Sequence, residues 1–145
     1  MSDIDLTDHA SYRVWTRDTI RYSDLDPNDH VNNGAINAYL EDGRVRFRKQ
    51  HLSHLGAGIL AGFVLVKYTI EYHAMLHFPG EVDIGTTIIR IGGSSYTQGQ
   101  AVFRDDTCIA TAQVVTVRLS AETGRSMPLD DVFKQALRDA TGFDG

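Results

Sequence analysis

The stretch Tyr22-Ser-Asp-Leu-Asp-Pro-Asn-Asp-His-Val-Asn-Asn33 sets several carboxylates in a turn immediately ahead of the longest helical pattern in the chain. Asp, Asn and Pro favour turns, and Asn32 or Asn33 is a good N-cap. Beyond them Ile36, Tyr39, Leu40, Gly43 and Phe47 recur at helical spacing through to about Leu52. An acid beside a helix start has chemistry available to it. The free backbone N–H groups and the positive end of the helix dipole can bind an oxygen that bears developing negative charge. Asp24, Asp26 or Asp29 could supply the base or nucleophile. Gly43 falls on the apolar face of the helix, where glycine costs about 1 kcal/mol relative to alanine. Close approach of the helix backbone to a sheet would compensate for it.

On the N-terminal side, Tyr12, Val14, Thr16, Asp18, Ile20 and Tyr22 alternate with Arg13, Arg17, Thr19 and Arg21, which predicts a first strand. On the C-terminal side, residues 51–62 are glycine-rich and without clear period, and read as a loop or short irregular connection. From Phe63 the period changes to two. Val64, Val66, Tyr68, Ile70, Tyr72 and Ala74 alternate against Lys67, Thr69, Glu71 and His73, the pattern of a half-buried strand. Pro79-Gly80, Gly92-Gly93 and Asp105-Asp106 separate three further strand-like runs: about Glu81 to Ile91, Ser95 to Arg104 and Thr107 to Leu119. Pro128 with the acids after it predicts a short C-terminal helix through Leu137. The order is strand, long helix, four antiparallel strands and short helix, an α+β domain whose sheet can wrap the long helix.

A length of 145 residues bounds this to one compact domain over 1–145. A net charge of −5 argues against nucleic acid or an anionic membrane surface as the main partner. The acidic start Met1-Ser-Asp-Ile-Asp-Leu-Thr-Asp8 is unlike a secretory signal, and no apolar run is long enough to cross a bilayer. With one cysteine, Cys108, no internal disulfide can form, so a cytoplasmic setting is expected.

The aspartate turn, followed by Ala38-Tyr-Leu-Glu41 and Gly43-Arg44, resembles the hot-dog-fold acyl-CoA thioesterases of the 4-hydroxybenzoyl-CoA thioesterase type. Ile70-Glu-Tyr-His-Ala, Phe78-Pro-Gly-Glu-Val, the turn at Gly92-Gly-Ser-Ser95 and Gly124-Arg-Ser-Met-Pro-Leu129 extend the likeness in order along nearly the whole chain. The resemblance implies a hot-dog fold, no metal or other cofactor, hydrolysis of an acyl-CoA thioester, and a homodimer or homotetramer with active sites at the subunit interface. Carried over, the catalytic aspartate falls on Asp26. The helix-start amide that polarises the thioester carbonyl falls near Asn33, and a helix carboxylate lining the acyl pocket falls on Glu41. His30, Arg90 and Ser95 are the candidate substrate-binding residues, with Arg104 and Arg118 as further cations for the CoA phosphates. Two departures stand out. Asn28 and Asp29 replace a glycine common in the turn, and Gly92 and Gly93 replace a cation that would grip those phosphates.

Without the resemblance, the Asp24-to-Asn33 stretch is ordinary turn and cap chemistry, Glu41 is an exposed helix charge near Arg44, Arg46 and Arg48, and His30 is a turn residue. On one strand His73 and His77 would lie about 13 Å apart, too far to share a metal. His51 and His54 lack a third ligand. Cys108 reads as an inert thiol. Two alternatives to hydrolysis remain at this point: a non-catalytic acyl-CoA or acyl-carrier binding module, and an acyl dehydratase, whose histidine and helix acid would sit in a different arrangement.

Overall fold

The computed structural model describes residues 4–145; residues 1–3, the beginning of the acidic N-terminal stretch, lie outside the described residues. The chain order is β1 (Val14–Ile20), α1 (Asn33–His51), α2 (Ala57–Leu60), β2 (Phe63–Tyr72), β3 (Gly80–Ile91), β4 (Ser95–Arg104), β5 (Thr107–Arg118) and α3 (Asp131–Thr141). The strands form a single antiparallel sheet in the order β1-β3-β4-β5-β2. Tight hairpins join β3 to β4 and β4 to β5, as the Gly-Gly and Asp-Asp turns require. The first and last places in the sheet go to β1 and β2, which the long helix separates in sequence.

α1 lies across one face of the sheet, and all five strands pack on it. Ile36, Tyr39 and Leu40 meet Ile20 of β1, Val82 and Ile84 of β3, Val102 of β4, Ala110 and Ala112 of β5, and Tyr68 and Ile70 of β2. Gly43 supplies the expected close approach. A Cβ there would come within 2.7 Å of Ile84 Cγ2 and 3.2 Å of Gln100 Nε2. A second apolar cluster joins Phe47 and Leu52 to Ile88, Tyr96 and Phe133, the last from α3, which covers the far end of α1. This is the α+β, hot-dog arrangement expected from the sequence.

Asn32, one of the two expected residues, is the N-cap of α1, its side chain accepting from Ala35 N at 2.6 Å. The irregular connection expected after α1 is built from two short turns, a 3₁₀ turn at Ser53–Leu55 and a helical turn at Ala57–Leu60. α3 begins at Asp131 with Asp130 as N-cap, so Pro128 precedes the helix instead of opening it. Val64 and Val66, read as buried, are 40% and 56% exposed: β2 is an outermost strand with a bulge between Leu65 and Lys67, and only Tyr68 and Ile70 beyond the bulge turn to the core. Among the described residues no helix is long and apolar enough to cross a membrane.

Candidate active site

Between β1 and α1 the chain makes two turns in succession. Tyr22–Asp24 is a single 3₁₀ turn that carries Asp24 into the core, 7% exposed. Its Oδ2 accepts from Tyr39 Oη at 2.5 Å and Arg21 N at 2.9 Å, the Arg21 guanidinium lies 3.5 Å from Oδ1, and its backbone carbonyl takes Asn32 N at 2.9 Å. Burial pushes the Asp24 carboxyl up, but the bonds from Tyr39 and Arg21 outweigh it and hold the group below the usual carboxylate range. Tyr39 moves the other way, raised by burial and by the Asp24 charge. Asp24 therefore ties the turn to the middle of α1.

The second turn is closed by the Leu25–Val31 bridge. Asp26 N donates to His30 O at 2.8 Å and Asp29 N to Asp26 O at 3.1 Å. Asp26 Oδ1 accepts from Asn28 N at 2.8 Å and His30 N at 3.2 Å, while Oδ2 takes no hydrogen bond from the described residues. The carboxylate is thus oriented through one oxygen and open at the other. Asp29 has φ 61°, the left-handed conformation that glycine adopts freely and that aspartate tolerates better than most residues. The missing turn glycine is replaced by an Asp without loss of the turn.

At the start of α1 the Asn33 and Gly34 N–H groups have no protein acceptor among the described residues, as expected for the first helical positions. A groove of about 570 Å³ opens beside Gly34, between α1 and β2. Ala38, Tyr68 and Ile70 give it apolar walls; Asn37, Glu41 and Arg44 are its polar residues. Asn37 is held from three sides: its Oδ1 accepts from Tyr68 Oη at 2.6 Å and its Nδ2 donates to Asn33 O at 2.8 Å and Tyr72 Oη at 3.1 Å. Among the described residues Glu41 is exposed and has no ion-pair partner: Arg44 turns to Gln100, Arg46 to Asp18 and Asp42, and Arg48 to the Leu60 carbonyl.

The remaining candidates are dispersed. The His30 ring meets His77, centroids 5.1 Å apart, beside the Asp26 turn. His73 and His77 do not share a strand, because β2 ends at Tyr72 and the chain turns; His73 bonds Thr111 Oγ1 at 2.8 Å instead. Arg90 is exposed and lines a groove with Lys67, Thr97 and Gln113, apart from the α1 groove. Ser95 pairs with Val117, which pairs with Val64, while Tyr68 pairs with Val114, so Ser95 lies toward the opposite end of the sheet from the start of α1. Within one chain neither Arg90 nor Ser95 joins Asn33 and Glu41. Arg104 is engaged by the carbonyls of His77 and Pro79, and Arg118 by Asp130 and Gly58 O, which leaves Arg90 the most available of the three cations. Burial raises the Cys108 thiol, which disfavours the nucleophilic thiolate. Among the described residues no three His, Cys, Asp or Glu side chains gather as a metal site.

Sequence reasoning passed over Asn37, Arg44 and Tyr68 as groove residues. The available signal was that Asn33, Asn37, Glu41 and Arg44 follow one another at helical spacing, a polar stripe beside the apolar one.

The sequence profile of the thioesterase-like superfamily matches residues 20–137. The chain belongs to that superfamily. A thioesterase from Thermus thermophilus, solved with coenzyme A and Zn, is 28% identical and superposes with a TM-score of 0.80, covering 92% of this chain and 98% of that one. A predicted thioesterase from Bacillus stearothermophilus is 26% identical, with a TM-score of 0.78 over 90% and 98% of the two chains. A 1,4-dihydroxy-2-naphthoyl-CoA thioesterase from Synechocystis shares the fold at 16% identity, TM-score 0.76, covering 87% and 96%. No curated protein matches the sequence. At the level of the superfamily, the activity this points to is thioester hydrolysis.

Proposed function

We propose that the protein hydrolyses an acyl-CoA thioester to a free carboxylic acid and CoA, with Asp26 as base or nucleophile. The observation that carries the reading is the pair of unoccupied amides at Asn33 and Gly34, opening onto an apolar-walled groove one turn of chain away from an oriented carboxylate. The thioester carbonyl oxygen would take these amides, which bind it more tightly as it becomes an oxyanion. Asp26 Oδ2 would then attack the carbonyl carbon, or take a proton from the water that does. Glu41 would line the acyl part of the groove. The coenzyme A bound to the 28%-identical Thermus protein supports CoA as the thiol. His30 and Ser95 remain candidates for binding substrate, and Arg90 for holding its phosphates.

The active form in this reading is a homo-oligomer. β2 pairs only with β5, and its other edge is open along Val64, Leu65 and Val66, which are all exposed. Antiparallel pairing of this edge with a second copy would satisfy the free backbone groups, cover the valines and wall the groove, whose outer side is β2 itself. Asp26 does not line the groove in one chain, so a site completed across that edge accounts for both features. The test is free-thiol release from aryl, short-chain and long-chain acyl-CoAs, alongside sedimentation at micromolar concentration. Binding without turnover would convert the reading to a non-catalytic acyl-CoA module. A fully active monomer would refute the shared site.

A further inference from the structure

Resting on the thioesterase reading, we infer that Arg44 determines acyl specificity and that the acyl group it selects ends in a carboxylate. Arg44 donates through NH1 to Gln100 Oε1 at 3.0 Å. Gln100 is fully buried, and its Nε2 is engaged by Leu40 O and Thr86 Oγ1, each at 3.0 Å. With that nitrogen occupied, only the amide oxygen can face Arg44. The Tyr68 ring, its centroid 5.3 Å from Arg44 Cζ, packs against the guanidinium. Arg44 is therefore fixed by a neutral amide and an aromatic face.

Among the described residues no carboxylate lies within ion-pair distance of Arg44, whereas Arg46 on the same helix is paired with both Asp18 and Asp42. An anchored, half-buried cation without an anion retains its charge and its free guanidinium edge for a ligand. That edge fits a carboxylate in two parallel hydrogen bonds. A methyl terminus at the same place would strip water from the guanidinium and return no bond. Ala38 and Ile70 take the hydrocarbon stem, and Asn37, with both amide hydrogens already donated, has no donor left for a carboxylate. Glu41, one turn nearer the helix start, is exposed, so solvent screens its repulsion of a second anion. About 15 Å of helix rise separates Gly34 from Arg44, shortened by the tilt of side chains toward the N-terminus. Medium-length chains span from the amides to the guanidinium, and short ones fall short.

The test compares CoA thioesters of equal chain length with and without the terminal acid: hexanoyl and adipoyl, octanoyl and suberoyl, decanoyl and sebacoyl. Wild type should favour the acid of one of the two longer pairs by at least about 10-fold in kcat/KM, the scale of one hydrogen bond between charged groups. Arg44→Met should reverse that preference, and Arg44→Lys, which keeps charge without the fork, should fall between. Non-hydrolysable thioether analogues of octanoyl- and suberoyl-CoA, titrated into the same three proteins, read the preference without turnover. Hydrolysis with no preference for any acid, or a preference that survives in Arg44→Met, overturns the inference and leaves the thioesterase reading intact. Preferential binding of the suberoyl analogue with no turnover of any thioester supports the inference and overturns the thioesterase reading. Equal binding of the octanoyl and suberoyl analogues, repeated with the decanoyl and sebacoyl analogues, overturns the inference whether or not turnover occurs.

Discussion

Asp24 and Asp26 stand two residues apart, yet one turn is closed around its carboxylate and the other leaves its carboxylate open. Asp24 is buried and bonded by a phenol, an amide and a guanidinium, all of which favour its charged form. Asp26 is half-buried, one oxygen is steadied by two turn amides, and the other faces no protein donor among the described residues. The difference teaches that the acid most firmly held is the one least able to react. Asp24 holds Tyr39, and through it α1, at the height that presents the helix start, while Asp26 keeps an oxygen free. Two identical side chains are set apart, one closed in and one open, by their surroundings alone.

The largest expected effect belongs to Asp26→Asn. It retains the shape and the Oδ1 acceptor but removes the charge that either mechanism needs, so turnover should fall by at least about 100-fold with little change in substrate binding. Steady-state kinetics with the best substrate of the acyl panel measures this. Near-native turnover would break the comparison at its centre.

Asp24→Asn should show the complementary phenotype, a smaller loss of turnover and a loss of about 2 kcal/mol in stability, since it gives up hydrogen bonds to a charged acceptor. The sign with pH follows from the lowered carboxyl of Asp24. Its contribution is present above the unfolded value of about 4 and disappears as pH falls through the lower folded value. Urea midpoints of the variant and wild type should therefore lie furthest apart near pH 7 and converge as pH falls through the lowered folded value. A gap that stayed constant with pH would mean that the Asp24 charge contributes nothing.

Glu41→Gln sharpens the contrast from the other side of the groove. A carboxylate that only lines the acyl pocket should cost less than about 10-fold in kcat/KM when neutralised, roughly the worth of one exposed charged contact. If Glu41→Gln were inactive and Asp26→Asn active, the catalytic acid would be on the helix.

The unequal legibility of these residues has a physical basis. The aspartate turn, the Asn32 cap and the two hairpin turns at Gly92-Gly93 and Asp105-Asp106 are local, governed by residues within a few positions of one another, and the sequence showed them. The role of Gly43 was also readable, because a glycine on an apolar helix face weakens the helix unless the missing side chain lets a neighbour pack closer. Val64 and Val66 were misread because alternation reveals which side of a strand a residue occupies, but not that the strand is outermost and bulged. Pro128 suggested a helix start that Asp130 provides instead, since proline suits the extended lead-in equally well. In the site, Tyr68 reaches Asn37 from 31 positions away and Gln100 reaches Arg44 from 56. No periodicity encodes a contact of that kind, and those two contacts define the groove.

A third aspartate gives the finest test, because its environment does the reverse of what Asp24's does. Asp18 on β1 is 20% exposed, and its Oδ1 lies 3.2 Å from Arg46 NH2, which also holds Asp42 at 2.9 Å. Burial, then the Asp42 carboxylate beside it, pushes Asp18 up to about 6, and the single guanidinium only partly offsets them. The folded protein thus holds a proton on Asp18 that the unfolded chain has already released between about pH 4 and 6. Stability falls as pH rises through that window, and the cost is complete above it. The full rise would correspond to at most about 3 kcal/mol, but partial solvent screening reduces the expected cost to about 1 kcal/mol. Asp18→Asn removes the charge while keeping an acceptor for Arg46, and Asp42 still pairs with that arginine. The variant should match wild type near pH 4 and exceed it by about 1 kcal/mol at pH 7, read from urea midpoints at the two pH values. Greater stability at pH 7 would make Asp18 a buried acid kept at a cost to the fold. Lower stability there would show that Arg46 serves both carboxylates fully, and that Asp18 belongs with Asp24 among the acids that hold the molecule together.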